Sequence, residues 1–206
     1  MLYVRLWNVH PVNYGYTPHH KSKVLNSIVE AKFPMAEKTI IPFGDPILRK
    51  QAKPVLDISP KIIKLLNDMT DTLYATDGRA GLAAPQIGIL RRVIVMDCGD
   101  GLIELINPEI LERRGEQIGP EACLSFPGYT GIVKRAKYVK IKSLNRSGEA
   151  FVLEGEDYLA RCIQHEIDHL NGILFVDRIQ DNYLYHDQTK QRINLLDVIR
   201  LTNQSI

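Results

Sequence analysis

His165, Glu166 and His169 stand together in the run QHEIDHLNG, Gln164 to Gly172. The pattern is H-E-x-x-H. On a helix it puts two imidazoles on one face with a carboxylate beside them, the arrangement of a metal site with its own proton carrier. Four residues advance a helix by about one turn, so His165 and His169 stack and can converge on one ion. Glu166 lies about 100° round the helix from His165, where it can flank an ion without binding it. A catalytic site of this kind takes three protein ligands and leaves a position for water, so a third ligand must come from elsewhere.

Downstream, one metalloprotease pattern continues H-E-x-x-H-x-x-G-x-x-H. The chain matches as far as Gly172 but has Phe175 where the last histidine belongs, and a phenyl ring cannot ligate. No glutamate follows Glu166; Asp177, Asp181, Asp187 and His186 are the remaining downstream donors, and none has a diagnostic spacing. Upstream, GPEACLSFPG (Gly119 to Gly128) places Cys123 in a segment bounded by Gly and Pro. A thiolate is a strong ligand for a borderline or soft ion, and an ion would keep it deprotonated. Of the other cysteines, Cys98 ends a strand and reads as a small packed hydrophobe. Cys162 lies one helical turn before His165; three ligands on consecutive turns give poor tetrahedral angles, so packing is its expected role too.

These residues need elements to hold them. The helix carrying the two histidines is expected from about Asp157 to Asn171, with Leu159, Ile163, Ile167, Leu170 and Leu174 opposite the polar side and Gly172 suited to a left-handed C-cap. An earlier helix opens at Ser59-Pro60, Ser as N-cap and Pro at the first helical position, with Ile62, Leu66, Met69 and Leu73 as its apolar stripe and Gly78 just past its end. GLAAPQIGI reads as a loop or short extended piece broken by Pro85. RRVIVMD is a β-branched strand, LIELINPEIL another, interrupted at Asn107-Pro108, and KYVKIKSLNRSGEAFVLEG two strands about a Ser-Gly turn. Asp168, next to His169, could orient a histidine. The tail NLLDVIRLTNQSI fits helix or strand. Helices and short, mostly antiparallel strands that do not strictly alternate predict an α+β fold around a central metal-binding helix.

The chain has 206 residues, 45% hydrophobic and 24% charged, which suits one domain. A formal net charge of +2 implies neither nucleic acid nor an anionic membrane as partner. The densest basic run, Lys134, Arg135, Lys137, Lys140 and Lys142, alternates with Val139 and Ile141 and reads as the wet face of a strand. Three cysteines do not make a secreted disulfide framework, so a reduced intracellular setting is expected. No apolar run approaches the roughly 18 residues of a membrane span. Residues 1–34 show no sustained period, and the segment is expected to lie outside a catalytic domain of residues 35–206, with native translation beginning at Met35; an organellar presequence would be richer in Arg and Ser.

GLAAPQIG (81–88), EACLS (121–125) and QHEIDHLNG (164–172), in this order and at these separations, resemble the three motifs of peptide deformylase. The resemblance extends over roughly residues 38–180. It implies that Cys123, His165 and His169 bind one divalent ion, ferrous iron in the usual member, with zinc, nickel or cobalt able to take its place. It also implies that Glu166 is the acid/base, that Gln86 and the backbone N–H of Leu124 hold the substrate carbonyl oxygen, and that Gly81 lies along the bound peptide. The reaction would release formate from N-formylmethionyl nascent chains in a bacterial cytoplasm, near the ribosomal exit tunnel. Ala122 departs from the pattern, which has Gly there, and its added methyl beside Cys123 puts a close backbone contact in doubt.

Elementary chemistry is compatible with that reaction. Amide hydrolysis needs a nucleophile, a stabiliser for the oxyanion and a proton for the departing amine; a bound ion makes hydroxide available near neutral pH, and Glu166 can move the proton. Each N–H donor to the oxyanion could lower the barrier by roughly 3 kcal/mol. Three other readings use the same residues: an endopeptidase, a cysteine hydrolase with Cys123 as nucleophile and His165 as base, and a non-enzymatic domain carrying relic motifs.

Overall fold

The computed structural model describes residues 37–203; the expectations for residues 1–34 and Met35 fall outside them. Among the described residues nine strands form two antiparallel sheets. The first has five strands: β1 (Gly81–Ala83), β2 (Val93–Met96), β3 (Ile103–Arg114), β6 (Tyr138–Leu144) and β7 (Ala150–Glu156), hydrogen-bonded in that order. The second joins β4 (Gln117–Cys123), β5 (Phe126–Arg135), β8 (Ile179–His186) and β9 (Arg192–Asn194). Three α-helices complete the described residues: α1 (Pro60–Tyr74), α2 (Asp157–Leu170) and α3 (Leu195–Asn203). The fold is α+β, as the pattern of elements predicts. Among the described residues no helix is long and apolar enough to cross a membrane.

Strand β2 shows how the layers form. Its four residues are all buried, and alternate side chains of a strand point to opposite faces. Val93 and Val95 therefore join Leu65, Leu66, Met69 and Leu73 of α1, while Ile94 and Met96 join Ala160, Ile163, Ile167 and Leu170 of α2. A fully buried side chain of this size is stabilising by about 1.5–3 kcal/mol, so a short all-apolar strand holds a helix on each side. Helix α2 is buried all round from Ala160 to Leu170, because the second sheet covers the side that the first does not. A surface helix would have one wet face; α2 has none, and each polar group on it must find a partner or a function.

The helix limits match the sequence closely, with instructive differences. Ser59 occupies the N-cap position of α1, but its side chain makes no capping bond; the Ser59 carbonyl instead accepts from the Ile62 and Ile63 N–H groups. Asn107-Pro108 does not end β3. It marks a bulge in the pairing with β6, where Asn107 takes a left-handed φ of 53°. The Asn107 side chain accepts from Val55 N at 2.8 Å and donates to Val55 O at 2.7 Å, satisfying the backbone of a neighbouring segment. Of the two structures that the tail's composition allows, its described part takes the helix: α3 begins at Leu195, directly after β9 ends at Asn194. Lys134, Lys142 and Lys137 are exposed, as a wet strand face requires, but Arg135 is buried and belongs to the functional centre.

Gly172 terminates α2 with φ +71°, and a Cβ there would collide with the Arg49 carbonyl. Both the left-handed backbone and the contact demand glycine. Gly172→Ala should cost about 2–5 kcal/mol in urea unfolding. A loss below about 1 kcal/mol would show that the Arg49 segment yields freely.

Candidate active site

Cys123 ends β4, and His165 and His169 face it from α2. Strand alternation points Glu121 and Cys123 to the same buried side of β4, toward the polar side of α2. One ligand atom from each of Cys123, His165 and His169 lies within 4.8 Å of the others, and all three residues are buried. Cys123 Sγ is 3.3 Å from His169 Nε2. The imidazole rings stand 5.0 Å apart at 76°, converging rather than stacking. This is the only such donor group of three or more among the described residues. The downstream candidates are engaged elsewhere: Asp177 pairs with Arg49, Asp181 accepts from Tyr185, and His186 packs on the Tyr129 ring. Phe175 stacks on His165 at 6.2 Å and closes the core behind it.

The donor set suits a divalent ion. Glu121 accepts from His165 Nδ1 at 2.9 Å; a carboxylate only accepts, so Nδ1 carries the proton and Nε2 is left as the ligand atom. Burial holds His169 well below the ordinary imidazole range, in the neutral form that a ligand requires. Glu166 Oε2 is buried without a protein hydrogen-bond partner. An orphaned carboxylate oxygen on a fully enclosed helix is costly unless it serves a function. Burial pushes the Glu166 carboxyl up to about 7, near the value that suits proton transfer at neutral pH.

Gln86 reaches the same place from the 3-10 turn after β1. Its Oε1 accepts from Ala83 N at 2.9 Å, which fixes the amide, and its Nε2 faces Cys123 Sγ at 3.5 Å and Ser125 Oγ at 3.4 Å. Gln86 is thus both a loop cap and a donor turned to the thiol. Leu124 lies in the turn between β4 and β5 and packs its side chain toward the α1 core. Gly81 begins β1; a Cβ on it would lie 2.5 Å from Glu166 Oε1, so glycine makes room for the carboxylate. Ala122 is half-buried and is not among the described non-glycine residues with positive φ, so its backbone does not demand glycine.

The family model described as polypeptide deformylase matches residues 37–184. The chain belongs to the polypeptide deformylase family. Among its curated relatives, the peptide deformylase of Carboxydothermus hydrogenoformans is 59% identical over 144 residues, covering 70% of this chain and 94% of that protein. That of Caldanaerobacter subterraneus subsp. tengcongensis is 57% identical over 145 residues, covering 70% and 91%. The crystal structure of peptide deformylase from Thermotoga maritima superposes with a TM-score of 0.67 at 48% identity, over 69% of this chain and 97% of that one. The Synechococcus elongatus enzyme in complex with actinonin gives 0.68 at 37% identity, over 78% and 88%.

Family membership makes the chain a hydrolase that removes the formyl group from N-formylmethionine, with metal dependence and action on formylated peptides. Behind the donors stands a charged cluster that none of the three motifs announces. Glu121 accepts from Arg135 Nε at 2.8 Å and Nη2 at 2.9 Å, and from Arg161 Nη1 at 2.9 Å. Burial would raise the Glu121 carboxyl, but the hydrogen bonds from Arg135 and His165 outweigh it and hold the group far below the usual carboxylate range. Alternation along β4 was the available signal, since it puts Glu121 on the face of Cys123. For Arg135 the corresponding signal was its place two residues after Val133, on the buried face of β5, but in a basic run a buried arginine and a wet one look alike. Asp168 makes no side-chain hydrogen bond to His169; it pairs with Arg135 and Arg178, and the carboxylate in direct contact with a histidine is Glu121. Cys162 and Cys98 pack in the core between α2 and the first sheet, as expected.

Proposed function

We propose that Cys123, His165 and His169 hold one divalent ion, ferrous iron in the cell, with zinc, nickel or cobalt able to occupy the same donors. The observation that carries this reading is the buried thiol and two imidazoles within 4.8 Å of one another, beside a carboxylate oxygen with no other partner. When bound, the ion supplies the Lewis acidity that acidifies water near neutral pH. Glu166 takes the proton of the attacking water on its carboxylate and hands it to the departing amine nitrogen. Gln86 Nε2–H and the Leu124 backbone N–H stabilise the negative charge growing on the formyl oxygen. Gly81, at the free edge of the five-stranded sheet, lies along the peptide. Catalysis is assigned to residues 35–206, acting on nascent chains in the bacterial cytoplasm close to the ribosomal exit tunnel.

Anaerobic metal analysis coupled to formate release from a formyl-Met peptide tests the reading. A chelator should abolish release, ferrous or nickel ion should restore it, and Cys123→Ala should weaken metal binding. Activity that survives complete metal removal and is lost only on alkylation would assign Cys123 as a nucleophile instead.

A further inference from the structure

A continuous line of charged groups runs from His165 to the protein surface. His165 Nδ1–H donates to Glu121 Oε2 at 2.9 Å. Glu121 is clasped through both oxygens by Arg135. Arg135 Nη1 donates in turn to Asp168 Oδ2, and Arg178 holds the outer side of Asp168 with Nε at 2.5 Å and Nη2 at 2.7 Å. Side-chain exposure is 3% for Glu121 and Arg135, 10% for Asp168 and 41% for Arg178; the line therefore begins in a dry interior and ends at solvent. Its outer end opens on a groove of about 610 Å³ whose lining includes Arg135, Gln164, Asp168 and Arg178.

We infer that Asp168 is a positioning residue for the metal site, acting through Arg135 and Glu121 on His165. Arg135 has one planar fork to divide between two carboxylates. With Asp168 on Nη1, the Nε and Nη2 edge is presented squarely to Glu121, the bidentate geometry that arginine and carboxylate favour. Without Asp168, Nη1 loses its partner in a buried setting, and the guanidinium turns to recover one. Glu121, which Arg161 holds through Oε1 alone, pivots with it, and Glu121 sets the tautomer and ring angle of His165. Outer partners of a metal-bound histidine commonly govern affinity by 10–100-fold. Gln164, on the same helix, cannot substitute, because its amide is occupied by the Ala136 backbone and the Ala160 carbonyl.

The inference rests on Cys123, His165 and His169 being the ligands, so its test measures the metal and not turnover. Cobalt-loaded parent, Asp168→Asn and Asp177→Asn proteins are compared by visible spectrum and by the rate of cobalt release to a chelator. Asp177 also pairs with an arginine, Arg49, but lies off the line and serves as control. Asp168→Asn should shift the cobalt bands and speed release roughly 10–100-fold, with Asp177→Asn matching the parent and Asp168→Glu restoring much of the loss. Should Asp168→Asn not fold, the double variant Asp168→Asn/Arg178→Gln, which removes one charge of each sign, carries the same expectation. Parent-like spectrum and release in either variant, whatever the melting temperature, overturns the inference alone. A parent that binds no cobalt overturns the ligand assignment as well.

Discussion

Glu166→Ala is expected to keep its metal and lose formate release by about 10²–10⁴-fold, equivalent to about 3–5 kcal/mol of barrier. Metal retention follows from the donor set, which is complete without Glu166. The loss follows from position. Glu166 sits among buried residues, its Oε2 has no protein partner, and Gly81 supplies the space for Oε1 that any other residue would fill. Glu166→Gln is the sharper variant, since it keeps the volume and removes only the proton-accepting charge. Both variants should bind cobalt with parent-like stoichiometry while single-turnover release falls. If Glu166→Gln turned over within about tenfold of the parent, the proton would have to travel by another group, and the proposed mechanism would be wrong.

Replacing Glu121 should damage stability and site together. Its carboxylate balances Arg135 and Arg161 in the interior. Breaking a buried ion pair from one side leaves an uncompensated charge at about 3–5 kcal/mol, and Glu121→Gln does this with little change of shape. Denaturant unfolding of metal-free protein should register the loss, and cobalt release should quicken in the same variant. The pH dependence gives a second check. The carboxyl of Glu121 is depressed in the folded state, against an unfolded value of about 4.3. Its contribution is therefore fully present above that unfolded value and fades as pH falls below it toward the depressed folded value. The parent should lose stability on acidification through this window, and Glu121→Gln should show a shallower slope there. Equal slopes would mean that other carboxyls govern acid unfolding.

Much of the site could be read without coordinates because its chemistry is local. His165, Glu166 and His169 share one helix, and a helix converts spacing into direction at a fixed angle per residue. The apolar periods of α1 and α2 and the β-branched strand β2 were legible for the same reason. Cys123 needed a motif to connect it with α2, since no periodicity relates residues on different elements. Asn107-Pro108 misled as a strand break because a bulge and a loop have the same local composition.

Strand alternation could place Glu121 and Arg135 on a face, but no local pattern could decide that these faces would be buried against each other. Arg135 sits among exposed lysines in sequence, yet β5 turns it inward beneath α2, where Glu121 and Asp168 await it. Asp168 stands beside His169 in the chain but faces away from it on the helix, and its influence on the site passes through an arginine on another strand. By itself, the sequence determined the α+β class, the helix that presents two imidazoles and a carboxylate, and the three motifs of the family. Only the tertiary structure decided that both sides of α2 are dry, and this is why Arg161 and Asp168 are paired inside the protein while Glu166 alone among its buried charges keeps an oxygen free for chemistry. An ionised group removed from water must find its partner inside the protein, and that partner is chosen by how sheets pack rather than by position along the chain.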